Sequence, residues 1–503
     1  MHASDDSTYP LPQGGTFMGH PRLLWMLLIV TVGVNFMFYG FRAFLAPYAA
    51  DTFFANLPHD QALTQANYLF AGFGALNYGL AILGGWVADN VLGEVQSLRL
   101  SLWLSIIGLL GMAAPNREIF MLSLAFLVLA TGLGIPLTVL VGRNYGKNDP
   151  KRDAGYTLFY LAINFGGFVA PLVCAVWIGA EYGYHWGFLA AAAGIVCAAA
   201  VFEWKHRKIP GADEKPRFKR AWSSPVVVLA ALALVFPCAW LLAHPDAMTG
   251  TVYGLMAALV GYLVVSSVRR GDRVQNERYI ALLLLFIAMV LFWAMSLLSA
   301  SALNFFARDY VTSLWHAFTL HLPGLAPLHV PAPDFTIFQS VNPLYILIFA
   351  PFMAMLWPWL DKRGINPSTP RKFGIGLLLV ALGYGVLLYA VDYLQLPGGK
   401  VAAWTLLACY LGSTIGELAL SPIGYGVVGK LAAHDEASLA MGGWFAGVSV
   451  SYILAGQIAS FTTTGGIEAY ARVFEWLLIG GVGIALVYLI AAPWIVKLMH
   501  GVR

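Results

Sequence analysis

Two ionisable residues stand alone inside long apolar stretches, and their chemistries are complementary. Arg42 lies in "VNFMFYGFRAF" (34–44), within a run otherwise uncharged from Leu23 to Ala50. Glu417 lies in "STIGELALSPIGYG" (413–426). A guanidinium offers a planar fork that suits a carboxylate. A carboxylate can hold an ammonium group or carry a proton, depending on its surroundings. One of each is what a site for a zwitterion needs. The plainer alternatives are a direct Arg42–Glu417 gate pair, or Arg42 bonded to backbone carbonyls. A further acid, Asp89, sits in "GGWVADNVLGE" (84–94) with Gly85 and Gly93 at spacings of four. It reads as a structural or gating contact rather than a ligand group.

Hydrolytic chemistry has no support in the apolar segments, which hold no Ser/His/Asp, Cys/His or metal constellation. Cys174, Cys197, Cys238 and Cys409 show neither metal spacing nor a disulfide framework, so they read as buried structural thiols. His316, His321 and His329 share one loop, around "LPGLAPLHVPAP", without a metal signature and read as solvated. No catalytic residue, cofactor or metal site is expected.

The elements that must position Arg42 and Glu417 follow from composition. Of 503 residues, 59% are hydrophobic and only 11% charged, against roughly 25% charged in soluble domains. Apolar windows of about 20 residues, the length a helix needs to cross a bilayer, recur along the chain. They predict fourteen spans at 22–50, 65–89, 97–114, 118–142, 154–180, 185–204, 222–243, 250–268, 277–307, 337–360, 372–394, 401–431, 437–463 and 470–499. The polar tail 1–21 lacks the basic start and cleavage site of a signal peptide. Of the 29 Lys/Arg, 24 fall on one set of loops and ends, and four (Arg117, Arg308, Lys400 and Arg472) on the other; Arg42 is the remaining one. The positive-inside rule then puts both termini in the cytoplasm. Dispersed basic residues give no nucleic-acid signal. The seventh and eighth spans follow the basic linker "KHRKIPGADEKPRFKR" and contain little that could work as a site. The expected organisation is a tail (1–21), a six-helix bundle (22–204), a linker with an inserted helical hairpin (205–276) and a second six-helix bundle (277–503).

Several motifs are more specific. "DPKRDAGYTLFYLAINFGGFVAP" (149–171) contains FYxxINxG, and "STIGELALSPIGYG" contains GELxLSPxG. "FWAMSLLSASALNFFA" (292–307), "QSVNPLYILIFAPFMAMLW" (339–357) and "MGGWFAGVSVSYILAG" (441–456) add to them. Together they resemble the proton-dependent oligopeptide transporter family of the major facilitator superfamily, from about residue 22 to the end. The resemblance implies an all-α membrane fold, six plus six spans with an inserted hairpin, and rocking of bundles about a midplane site. The departures are informative. The family's ExxERFxYYG reads here as "TVGVNFMFYG": Thr31 and Val34 replace the acids, Asn35 the arginine and Phe38 the first tyrosine. Ile135 stands where a lysine precedes a proline, and Leu297 and Leu298 stand where Glu-Gln follows "FW". Removing one partner of a buried ion pair costs about 3–5 kcal/mol, whereas removing a whole network can be near neutral. The usual coupling groups are absent as a set.

By the same resemblance Arg42 faces a substrate carboxylate, and Glu417, Asn164, Asn342 and Ser421 hold the amino end. Tyr39, Tyr78, Tyr160, Trp293 and Trp444 match aromatic positions of the pocket. Helix-to-helix hydrogen bonding is the plainer reading of the polar residues, and the preferred one for Asn304. Gly416 and Pro422 imply a gating hinge, or equally a static kink, since Pro422 cannot donate to the Leu418 carbonyl. Glu417 is the candidate proton carrier. The expected function is secondary transport of short peptides or peptide-like zwitterions in a bacterial inner membrane, by a monomer embedded in lipid. The alternatives are an uncoupled facilitator, a carrier of another small amphipathic metabolite or anion, and a non-transporting receptor or assembly partner.

Overall fold

The computed structural model describes residues 15–146, 149, 151–209, 216, 218, 223–320, 327–433 and 436–502. His321 and most of the basic linker fall outside that set. Among the described residues, fourteen helices are long and apolar enough to cross a membrane, one for each expected span. Among the described residues outside these spans there are two short hairpins, Thr16–Phe17 with His20–Pro21 and Phe318–Leu320 with Leu328–Val330, and two isolated bridges, Val311 with Val401 and Leu396 with Lys400. The second hairpin gives structure to a segment the sequence offers only as a loop.

Several spans are interrupted, and two of the interruptions, at Ile135 and Leu297–Ala300, fall where the sequence departs from the family pattern. The first span, Arg22–Thr52, is two helices, Arg22–Arg42 and Leu45–Thr52. Arg42 is therefore the last residue of a helix. The fourth span, Arg117–Gly142, breaks at Ile135, just before Pro136. Proline lacks an N–H and crowds the residue before it. The ninth span, Arg273–Tyr310, tightens into a 3₁₀ turn over Leu297–Ala300, followed by Ser301 at φ −123°, ψ −101°. The second span, His59–Leu92, ends in a π turn over Ala88–Leu92, and the fifth, Lys151–Tyr182, contains a π segment over Leu172–Gly179. Such breaks expose backbone groups at membrane depth, which must then find partners within the protein.

The chain forms two compact units. One comprises Met1–Phe41 and Leu76–Ala243, the other Arg42–Ala75 and His244–Arg503. This differs from a division at the linker, because residues 42–75 go with the second unit. Within that unit, Asn304 Nδ2 donates to the Ala43 carbonyl at 2.8 Å, and Thr64 and Thr463 share a 2.8 Å hydroxyl contact. Asn304 thus bonds another span, as expected, and satisfies a carbonyl released by the break after Arg42.

In the first unit, Gly84 is the motif glycine pressed against a neighbour: a Cβ there would run into the Gly132 backbone. Gly85 has only Ile135 nearby, at 4.0 Å. Gly93 takes φ 83°, which L side chains rarely adopt. Asp89 sits in the π turn within electrostatic reach of Arg143, which pairs with Glu94 at 2.8 Å. The seventh span, Pro225–Ala243, packs on the fourth.

The eighth span, Pro245–Arg270, packs on the thirteenth and ninth spans of the second unit. Its polar residues are anchors that apolar patterning hides. Tyr253 donates to Gln457 at 2.9 Å, while Ser266 and Arg270 reach Glu436 at 2.5 and 3.1 Å. Of the cysteines, Cys174, Cys238 and Cys409 are buried but Cys197 is exposed. An apolar run in a membrane protein has a lipid-facing side, so membership of one does not imply burial in protein.

Candidate functional site

The twelfth span, Ala403–Leu431, carries a polar stripe: Tyr410, Thr414, Glu417 and Ser421, at spacings of four, three and four. That spacing keeps them on one helix face. Glu417 Oε2 accepts from Asn342 Nδ2 of the tenth span at 3.0 Å. The same Nδ2 reaches Thr414 Oγ1 at 3.0 Å. Thr414 in turn donates to the Tyr410 carbonyl at 2.7 Å. Tyr410 Oη donates to the Ser299 carbonyl at 3.2 Å, and Gln339 Nε2 donates to that carbonyl at 2.8 Å. Ser299 lies in the 3₁₀ turn of the ninth span, so its released carbonyl is satisfied from two neighbouring spans. Glu417 is itself half-buried. Ser421 Oγ, one turn further on, is buried without a hydrogen-bond partner among the described residues.

Arg42 belongs to the same unit and acts electrostatically on both Glu417 and Tyr452. Its guanidinium lies 5.5 Å from the centre of the Phe70 ring, within cation–π range. As the last residue of its helix it also meets the negative end of the helix dipole. One unit therefore contains a cation beside an aromatic face, and within its electrostatic reach a carboxylate bonded by an amide donor. That set can take up a small ligand with a carboxylate at one end and an ammonium at the other.

Gly416 fills a packing role. A Cβ there would come within 2.8 Å of the Gly376 carbonyl oxygen and 2.9 Å of the Phe292 ring. Pro422 lies inside a helix that continues to Leu431. Trp444 is 1% exposed, edge-on to Phe286 and Phe373. Trp293 is half-buried and edge-on to Phe292. In the first unit, Tyr39 and Tyr78 are half-buried, and Tyr160 is 36% exposed. Asn164 donates to the Tyr160 carbonyl of its own helix at 2.9 Å, rather than to a neighbouring span. Thr31 and Asn35 also bond their own helix, to the Leu27 and Thr31 carbonyls.

Sequence reasoning passes over Thr414, Tyr410, Gln339, Phe70 and Tyr452. The first two carry a usable signal, because they lie three and seven residues before Glu417. Phe70 and Tyr452 have none, since only the fold brings them to Arg42.

The POT family pattern matches residues 100–477. The chain belongs to the POT family. Its fold is the nearly all-helical major facilitator fold, with fourteen candidate spans among the described residues, and the family is one of multi-pass membrane transporters. Among curated relatives, the peptide transporter YePEPT of Yersinia enterocolitica is 30% identical, covering 98% of this chain and 98% of its own. A di-/tripeptide transporter of Lactococcus lactis is 28% identical over 97% of this chain and 98% of its own. A solved structure of a mutant peptide transporter POT in complex with alafosfalin superposes with a TM-score of 0.81. It shares 30% identity and covers 98% of each chain. This POT chain thus keeps the family's fold while lacking its first-helix acids and arginine.

Proposed function

We propose that this protein is a secondary transporter of short peptides or peptide-like zwitterions. Glu417 and Asn342 hold the ligand's ammonium group, and Arg42 holds its carboxylate. The observation that carries the reading is the Asn342–Glu417 bond at 3.0 Å with Arg42 in electrostatic reach of the same carboxylate. The peptide-transporting relatives support the substrate class. Ser421 extends the ammonium end, and Trp293 and Trp444 are proposed walls that a change of state would have to uncover or rearrange. The roles of Tyr39, Tyr78, Tyr160 and Asn164 rest on the motif match alone, as do gating by Asp89, Gly416 and Pro422.

The protein acts as a monomer and carries out no chemical conversion. It lies in a bacterial inner membrane with both termini cytoplasmic, a reading supported by the 24-to-4 split of loop Lys/Arg. A cysteine replacing exposed Leu396 would then be labelled from outside by an impermeant reagent, and one replacing Ile365 would not. Two six-helix bundles, 22–204 and 277–503, joined by the linker and hairpin, remain the proposed organisation for transport.

The direct test is a thermal-shift comparison of L-alanyl-L-alanine with its N-acetylated and C-amidated forms. The free dipeptide stabilises the purified protein and each blocked form stabilises it less. Equal shifts for all three would overturn the two-ended clamp. A second reading, uncoupled facilitation, is favoured by Thr31, Val34, Asn35, Ile135 and Leu297 at the family's charged positions. Thr31 and Asn35 each donate within their own helix.

A further inference from the structure

Thr414 is fully buried, at 0% exposure. Its hydroxyl has one hydrogen, and that hydrogen goes to the Tyr410 carbonyl at 2.7 Å. Toward Asn342 it can only accept, which it does from Nδ2 at 3.0 Å. The two branches of an asparagine amide are told apart by their partners. Here Thr414 accepts on one side of Nδ2, and Glu417 Oε2 accepts at 3.0 Å on the other. Both acceptors face the NH₂ branch, so Oδ1 is the branch that neither engages.

Glu417 alone would not keep that orientation. A carboxylate calls for the NH₂ branch, but a protonated acid can donate and would accept a flipped amide. Thr414 has no such second state while its hydrogen is committed to Tyr410. We propose that Thr414 is a positioning residue that locks the Asn342 amide whatever the state of Glu417. An arriving ammonium then meets a carbonyl oxygen and a carboxyl oxygen together. This lock sets the preference for a free amino terminus over a blocked one. The inference rests on the proposed assignment of Glu417 and Asn342 to the ligand's ammonium group.

The test uses the purified full chain with L-alanyl-L-alanine and N-acetyl-L-alanyl-L-alanine as probes. Wild type, Thr414→Val and Thr414→Ser are compared by competition binding. Valine keeps the shape of threonine, and the Tyr410 carbonyl keeps its helical bond. Thr414→Val is expected to weaken the free dipeptide by about tenfold, the order of one lost hydrogen bond, and to leave the N-acetylated form unchanged. Thr414→Ser restores the wild-type ratio. Unchanged affinity for the blocked peptide also shows that the variant is folded. A wild-type ratio in Thr414→Val, or equal losses for both probes, would overturn the lock while leaving the binding site in place. Failure of wild type to favour the free dipeptide would remove the ammonium assignment, and this inference with it.

Discussion

Arg42 ends a helix, and that position changes what its charge costs. A charge at membrane depth costs at least about 2.5–3.5 kcal/mol. A helix C-terminus returns about 0.3–1 kcal/mol, up to about 2 in partly buried geometry. The Phe70 face, at 5.5 Å, returns about 0.5–2 kcal/mol more. The fold can therefore hold Arg42 without a ligand, and its charge alone does not demonstrate substrate binding. The discriminating experiment must read the ligand's carboxylate, not the protein's stability. Arg42→Ala is expected to weaken a free dipeptide by about 1.5–3 kcal/mol, the range for hydrogen bonds to charged groups. The C-terminally amidated dipeptide should lose little. Isothermal titration of both ligands on both proteins measures the difference, and equal losses would make Arg42 a structural residue.

Among the elements, the eighth span shows how a helix without a site can still be fixed in place. Glu436, between the twelfth and thirteenth spans, is 5% exposed and receives Ser266 and Arg270 from the eighth span and Tyr279 from the ninth. Burial pushes its carboxyl up, but hydrogen bonds from Ser266, Tyr279 and Arg270 outweigh that and hold it below the ordinary carboxylate range. A depressed folded pKa contributes stability above the unfolded pKa, and that contribution is lost as pH falls through the folded value. Glu436→Gln should therefore lower Tm near pH 7 and differ progressively less from wild type as pH falls below about 4. A Tm gap that stays constant across that range would remove the ionised anchor. None of this is legible in "GTVYGLMAALVGYLVVSSV", where the partners are remote in sequence. The helices themselves are legible, because apolar length alone specifies a span. Helix breaks are legible at prolines, at Pro136 and where the π segment follows Pro171; the ends at Arg42 and Ser301 carry no such signal, and Asn304 bonds the Ala43 carbonyl just past the first of them. The glycine motif is legible in kind but not in register, since Gly84 rather than Gly85 meets Gly132. Thr414 could have been found by asking which residue shares Glu417's face, whereas Phe70 could not.

For the molecule as a whole, the open question is what drives the substrate. A coupled transporter needs a group whose protonation differs between its states, since an equilibrium shifts only by a differential free energy. Thr31, Val34, Asn35, Ile135 and Leu297 cannot supply one. Glu417 can: it is half-buried, ligand-facing in the proposed site, and hydrogen-bonded by Asn342. If transport is proton-driven through Glu417, proteoliposomes under an inward proton gradient should accumulate labelled dipeptide above the outside concentration. Glu417→Gln should abolish that accumulation yet retain exchange of labelled for unlabelled dipeptide, because glutamine keeps the shape and a carbonyl acceptor but cannot carry a proton. Accumulation by Glu417→Gln equal to wild type would move coupling to another group, with Asp51 and Asp309 beside Arg308 the next to test. If wild type itself only equilibrates dipeptide at every imposed gradient, the protein is a facilitator. The loss of the first-helix acids and arginine would then have removed coupling together with the charges that served it.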